Sequence, residues 1–312
     1  MKYFCKSKTG PRHVQEGKMC EDASVVRICA DHTMVAVMAD GVGSCKCSKI
    51  GAELAVQSFA DYVVHTYPYQ EDAALMKNLL FTAAAAACRV VEERARKDGM
   101  DATEYDCTLH AVIFSENTRK AYLFHAGDGM IVTISVCGEF ETTSVEKHMG
   151  PGWNSVFPLA SGIDTWEFEE RSDIAAVILA TDGLRTVLQP EDLLKHVGKP
   201  IYPAAVLPLI DVRCHKNAAE QERFQEKFVN GEIDNLAVLA CMERLIAFSY
   251  LDDEERTHRL DIMRQRIVVA QKLRRITDDK TLIVLDAGCE EVLYPIEVYR
   301  EPDWKLLCKI AQ

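Results

Sequence analysis

Met34-Val35-Ala36-Val37-Met38-Ala39-Asp40-Gly41 is the stretch on which the fold turns. An apolar run ends on a carboxylate and a glycine, as a buried strand does when it opens onto a turn able to hold a hard cation. The wording returns twice. Ala175-Ala176-Val177-Ile178-Leu179-Ala180 runs into Thr181-Asp182-Gly183, and Ala121-Tyr122-Leu123-Phe124 leads to Ala126-Gly127-Asp128-Gly129. Asp-Gly is a favoured turn pair, so each acid alone reads as a turn former. Several strand-ended acids in one chain predict carboxylates converging on a metal centre.

A chain of 312 residues, 48% hydrophobic and 27% charged, can bury a large core and has the composition of a soluble globular protein. Its net charge of −12 argues against nucleic acid and acidic lipid as partners, since both need a basic face. The N-terminus, Met1-Lys2-Tyr3-Phe4-Cys5-Lys6, turns polar at once and lacks the form of a secretion signal. Leu79 to Val91 is too short to span a bilayer and reads as a buried helix, so no membrane partner is expected. The twelve cysteines are scattered without paired zinc knuckles, which predicts reduced thiols and a cytoplasmic location. Cys45-Lys46-Cys47 reads as small residues in a loop before a helix, with a redox or soft-metal role as the alternative.

Apolar residues at helical spacing predict an amphipathic helix from Ser48, its expected cap, to about Tyr67. A second runs from about Asp72 to Lys97 and is stopped by Asp98 or Gly99. Thr108 to Ser115, Ala121 to Phe124, Ile131 to Val136 and Phe140 to Thr143 follow as strands with short turns, resembling an antiparallel meander. Trp166 to Glu169 and Ile174 to Ala180 return to strand. Helices dominate from Gln189, with Arg213 to Asn230 charged and solvated, and with one amphipathic helix carrying Leu260, Met263, Ile267, Ala270 and Leu273. The strand Thr281 to Leu285 closes the pattern. No repeat or Gly/Ser linker divides the chain, so a single domain with helix layers around strands is expected over 1–312. Within it, a helical insertion occupies about 189–259 and a short extension about 288–312.

Acids stand next to strands at Glu21-Asp22, Asp40, Asp128, Asp182 and Asp278-Asp279. Oxygen-only ligands select Mg²⁺ or Mn²⁺. Two such ions sharing a carboxylate would hold a water, lower its pKa and position it for in-line attack on phosphorus. Phosphoester hydrolysis is the reaction such a centre serves.

In order and wording, Met19-Cys20-Glu21-Asp22-Ala23, Met38-Ala39-Asp40-Gly41-Val42-Gly43, His125-Ala126-Gly127-Asp128, Ala180-Thr181-Asp182-Gly183 and Asp278-Asp279-Lys280-Thr281 resemble the successive motifs of the metal-dependent type-2C protein serine/threonine phosphatases, in a bacterial-like form. The resemblance implies an α+β fold, a four-layer α-β-β-α sandwich with two central antiparallel sheets and the metals at one end. It implies two Mn²⁺ or Mg²⁺ ions bridged by Asp40. Glu21 and the Gly41 carbonyl would complete one shell, Asp182 and Asp278 would hold the other ion, and Asp128 matches the acid that in some members binds a weaker third ion. Asp279 stands where the family often has Asn. It implies a phosphoprotein substrate tied to a Ser/Thr kinase, attacked directly by metal-bound hydroxide, with Asp40, Asp182 and Asp278 carrying the catalysis.

Three positions depart from that pattern. Val42 stands where many eukaryotic members have a His considered as general acid, and Ser44 replaces a second Gly of the loop. Gly17 occupies the place of a phosphate-binding Arg, leaving Lys18, Arg12 and His13 as candidates to supply positive charge to the phosphate. Ile233-Asp234-Asn235-Leu236-Ala237 imitates the last motif, but its Thr is replaced by Ala237, so Asp278 is preferred to Asp234. His125, His110 and His148 read as structural histidines, and Met149 to Asn154 as a flap over the site. Two other functions stay open: a pseudophosphatase that binds phosphoprotein or a regulator without turnover, and a metal-dependent phosphoesterase acting on a non-protein substrate.

Overall fold

In the computed structural model, residues 1–68, 70–143, 158–193 and 201–310 are described. The strands are β1 (Lys2–Lys8), β2 (Ala23–Ile28), β3 (Met34–Ala39), β4 (Leu109–Ser115), β5 (Lys120–Ala126), β6 (Met130–Ser135), β7 (Phe140–Thr142), β8 (Glu167–Arg171), β9 (Ile174–Ala180) and β10 (Lys280–Asp286). They form two five-stranded antiparallel sheets, in the orders β1-β10-β9-β6-β7 and β2-β3-β4-β5-β8. Helices α1 (Pro11–Gln15), α2 (Ser48–Thr66) and α3 (Ala73–Asp98) come first, then α4 (Asp182–Leu188), α5 (Pro203–Ile210), α6 (Ala218–Asn230) and α7 (Asn235–Ile246). The last are α8 (Asp253–Arg266), α9 (Val269–Leu273) and α10 (Trp304–Ile310).

The apolar runs are continuous because the central strands are buried on both faces. On β3, Met34, Ala36 and Met38 point between the sheets, where they meet Val177, Leu179, Ile283 and Leu285. Val35, Val37 and Ala39 point outward, under a layer built on Ala52, Phe59 and Ala84 of α2 and α3. On the other sheet, Ile178, Leu282 and Val284 face the helices of residues 203–273. The result is the four-layer sandwich, helices outside and sheets within.

Several local expectations change. The predicted meander is split. β4 pairs with β5 in one sheet, but β6 pairs with β7 and β9 in the other, so the Ala126-Gly127-Asp128-Gly129 turn carries the chain across the sandwich. Ser48 is the first helical residue of α2 rather than its cap, and its hydroxyl donates back to the Cys45 carbonyl at 3.4 Å. Asp72 caps α3 by accepting from the Leu75 N–H, and Gly99 ends it at φ +67°. The helix expected through Leu273 is broken at Ile267 and Val268 into α8 and α9, while α6 buries Phe224, Phe228 and Val229 along one stripe of its charged surface. His148 and Met149 to Asn154 lie outside the described residues.

Candidate active site

Antiparallel pairing places the functional turns at one end of the sandwich. Ala39, which precedes Asp40, pairs with Ala23, and Ala180 pairs with both Met130 and Leu282. The exits of β3, β5 and β9 therefore lie beside the entrances of β2, β6 and β10. Glu21, Asp40, Gly41, Asp128, Asp182 and Asp278 all line one cavity of about 140 Å³, together with Arg12, His13, Val42, Gly43 and Thr108.

Close backbone approach fixes this end. A Cβ on Gly10 would fall 2.2 Å from the Asp278 carbonyl carbon, and one on Gly183 would fall 2.0 Å from the Asp279 oxygen. The first turn of α4 and the loop before α1 thus both press on the Asp278-Asp279 segment. The buried Asp279 carboxyl ties the loop before α1 to the turn before β2, accepting N–H bonds from Gly10 and Glu21, each at 2.6 Å, and lying 3.0 Å from His13 Nδ1. Asp22 does similar work deeper in. Its Oδ2 accepts from Thr181 Oγ1 at 3.0 Å and Thr281 Oγ1 at 2.7 Å, tying the ends of β9 and β10 to the turn that carries Glu21. Thr108 holds the third corner, its Oγ1 accepting the Asp40 N–H at 2.9 Å.

The charge balance is lopsided. Burial, reinforced by Asp22, Asp182 and Asp128, pushes the Asp40 carboxyl well above the usual carboxylate range. Burial and then Asp278 raise Asp182, while burial and then Asp182 bring Asp128 to about 6. Burial raises Asp22 to about 7 against its two threonine hydrogen bonds. Crowded carboxylates resist simultaneous ionisation, and a divalent cation among them relieves the repulsion.

The donors suit such a cation. They are oxygen-only, and two of them, Asp182 Oδ1 and Glu21 Oε2, are buried with no hydrogen-bond donor among the described residues. Among the described residues no three acid, His or Cys side chains form a closed coordination group; the acids stand around the cavity instead.

The phosphate candidates separate. Arg12 lines the cavity, and its Nη2 donates to both oxygens of Asp278, at 3.0 and 3.1 Å. His13 also lines it but is buried, 3.5 Å from Glu21 Oε2. Lys18 is not part of the cavity wall; it lies 3.6 Å from Glu16 and 3.8 Å from Glu21. Asp234 is elsewhere, exposed, capping α7 by accepting the Ala237 N–H at 2.7 Å. Sequence reasoning passed over Arg185, which donates Nη1 to the Asp128 carbonyl at 3.1 Å and whose charge opposes the upward shifts of Asp128 and Asp182. Its position three residues after Asp182 on a helix was the available signal.

Residues 9–209 match the protein phosphatase 2C family profile. The chain belongs to the protein phosphatase 2C family. The fold of this protein phosphatase 2C member is similar to that of the serine/threonine phosphatase Stp1 from Staphylococcus aureus, at 13% identity and a TM-score of 0.51 over 92% of this chain and 94% of that one. It is similar to the S. agalactiae serine/threonine phosphatase, at 13% identity and a TM-score of 0.51 over 91% and 98% of the two chains. A sex determining protein of C. elegans shares the fold at 12% identity and a TM-score of 0.54, over 96% of this chain and 66% of that one. No curated protein sequence matches the phosphatase. The family match ends before α6, so Asp278 enters the cavity from beyond it.

Proposed function

We propose that this phosphatase hydrolyses phosphoserine and phosphothreonine esters in proteins with the help of two Mg²⁺ or Mn²⁺ ions. Asp40 would be shared between them, Glu21 and the Gly41 carbonyl would serve one, Asp182 and Asp278 the other, and Asp128 would be the acid for a third. The observation that carries the reading is the convergence of five carboxylates on one cavity of about 140 Å³. Bound there, the ions supply Lewis acidity, which makes a nucleophile of water and neutralises phosphoryl charge.

The chain's own groups do the rest. Asp279 and Asp22 hold the acid-bearing turns in register through the N–H and threonine contacts described above. Arg12 lines the cavity wall, where its Nη2 lies between the two oxygens of Asp278, and its guanidinium could take phosphate oxygens in the same way. Val42 offers no proton at the position after Asp40-Gly41, so the leaving alkoxide takes its proton from water. The substrate would be the product of a Ser/Thr kinase. A cytoplasmic setting is supported by the eleven described cysteines, all free.

The test pairs Mn²⁺ titration calorimetry with phosphate release from phosphoserine and phosphothreonine peptides. Wild-type protein is expected to bind Mn²⁺ and release phosphate only when it is present, and Asp40→Asn to stay folded and lose both. A wild type that binds Mn²⁺ but leaves every phosphopeptide intact would instead be a phosphoprotein-binding pseudophosphatase. Faster turnover of a nucleotide than of phosphopeptides would shift the substrate class.

A further inference from the structure

A second recess lies away from the acids. It encloses about 850 Å³ beside β7, α8 and the segment 295–307, and shares no lining residue with the acid cavity. Sites that enclose small organic ligands span roughly 300–1,000 Å³. Phe140, Leu193, Ile262, Val298, Leu306 and Leu307 make its wall mostly apolar. The larger part of that wall, α8 and 295–307, comes from beyond the family match.

Charge indicates the sign of the occupant. Glu139, Glu141, Glu255, Glu297, Glu301 and Asp303 line the recess, against Arg259, Arg266 and Arg300. Two of those arginines are already engaged. Arg259 donates Nε to Glu255 and Nη1 to the Ile296 carbonyl, both at 2.7 Å, and Arg266 lies 3.2 Å from Asp303. Glu301 is the decisive residue, because it is only 4% exposed. Its Oε1 accepts from the Tyr202 hydroxyl and from Trp304 Nε1, whereas Oε2 has no donor among the described residues. An acid oxygen left open on the recess wall can accept a cationic N–H there, in a charge-assisted bond stronger than a neutral one.

We propose that this recess binds a small apolar ammonium compound, its body against Phe140, Ile262, Val298 and Leu306 and its N–H on Glu301 Oε2. The test is titration calorimetry of the full chain with three matched probes: 4-phenylbutylammonium, 4-phenylbutanoate and 4-phenylbutanol. The ammonium is expected to saturate one site at least about tenfold more tightly than either of the others, the scale of one charge-assisted hydrogen bond. Glu301→Gln should remove that preference. Leu306→Lys should also weaken the ammonium by about tenfold or more, through lost apolar contact and like charge. Because Leu306 is 56% exposed, its replacement leaves the fold intact and decides the matter should Glu301→Gln fail to fold. Equal affinity for the three probes, no saturable binding, or unchanged ammonium affinity in a folded variant would overturn the proposal.

Discussion

Five carboxylates share about 140 Å³ at one end of the sandwich, whereas the 850 Å³ recess beside β7 contains one fully buried acid, Glu301. The small cavity stores electrostatic work. Its acids repel one another, two buried oxygens have no donor among the described residues, and the surrounding bonds to Asp279 and Asp22 hold the acids in place. The large recess presents an apolar wall in which one acid, Glu301, is buried, its Oε1 already hydrogen-bonded. Volume alone would have pointed to the recess as the reaction centre; the density of unbalanced charge points to the cavity.

The comparison breaks first at Asp40. If the cavity is where charge is neutralised during reaction, Asp40→Asn should lower phosphopeptide turnover by about 10³-fold or more, on the scale of several kcal/mol of lost cation binding and charge stabilisation. Steady-state kinetics at saturating Mn²⁺ would show it, and the variant should bind the phenylbutyl probes unchanged. Asp279→Ala should cost about 3 kcal/mol in urea unfolding, because it leaves the Gly10 and Glu21 N–H groups without an acceptor.

Glu301 sharpens the other side. Burial raises its carboxyl to about 7 from 4.5, against donors Tyr202 and Trp304 and the nearby Arg266. The folded state thus holds a proton that the unfolded chain releases, so this group's stabilisation is full below pH 4.5 and is lost as pH rises through about 7. Between those limits it amounts to about 3 kcal/mol. Glu301→Gln should flatten the decline of the urea midpoint between pH 5 and 8. Smaller again, Arg12→Ala should raise KM for phosphopeptide about tenfold with kcat little changed, if its guanidinium holds phosphate. Asp234→Ala should cost about 1 kcal/mol of stability, the usual value of a helix cap, and leave turnover intact.

Asp234 and Asp278 show where sequence reading reaches its limit. Both sit in nearly the same words, yet one caps α7 in solvent and the other lines the cavity. The retained Thr281 was the useful clue, and its physical content is the hydroxyl it donates to Asp22. The meander was misread for a related reason: β5 and β6 are both buried on two faces, so nothing in their polarity says that Asp128 bridges two sheets. Adjacency to Gly17 favours Lys18 over Arg12 and His13 in sequence, but α1 sends Arg12 to Asp278 in the cavity wall while Lys18 turns to Glu16 and Glu21.

By itself the sequence determined the strand ends, the acids that follow them and the family motifs they compose, because apolar runs and Asp-Gly turns are local in the chain. Tertiary structure decided which acids meet. It also decided which cation faces them, that Asp22 and Asp279 act as clamps, and that residues from α8 onward wall a separate recess. Those outcomes depend on pairing between distant parts of the chain, across 269 positions between Gly10 and Asp279, and such distances leave no periodicity to read.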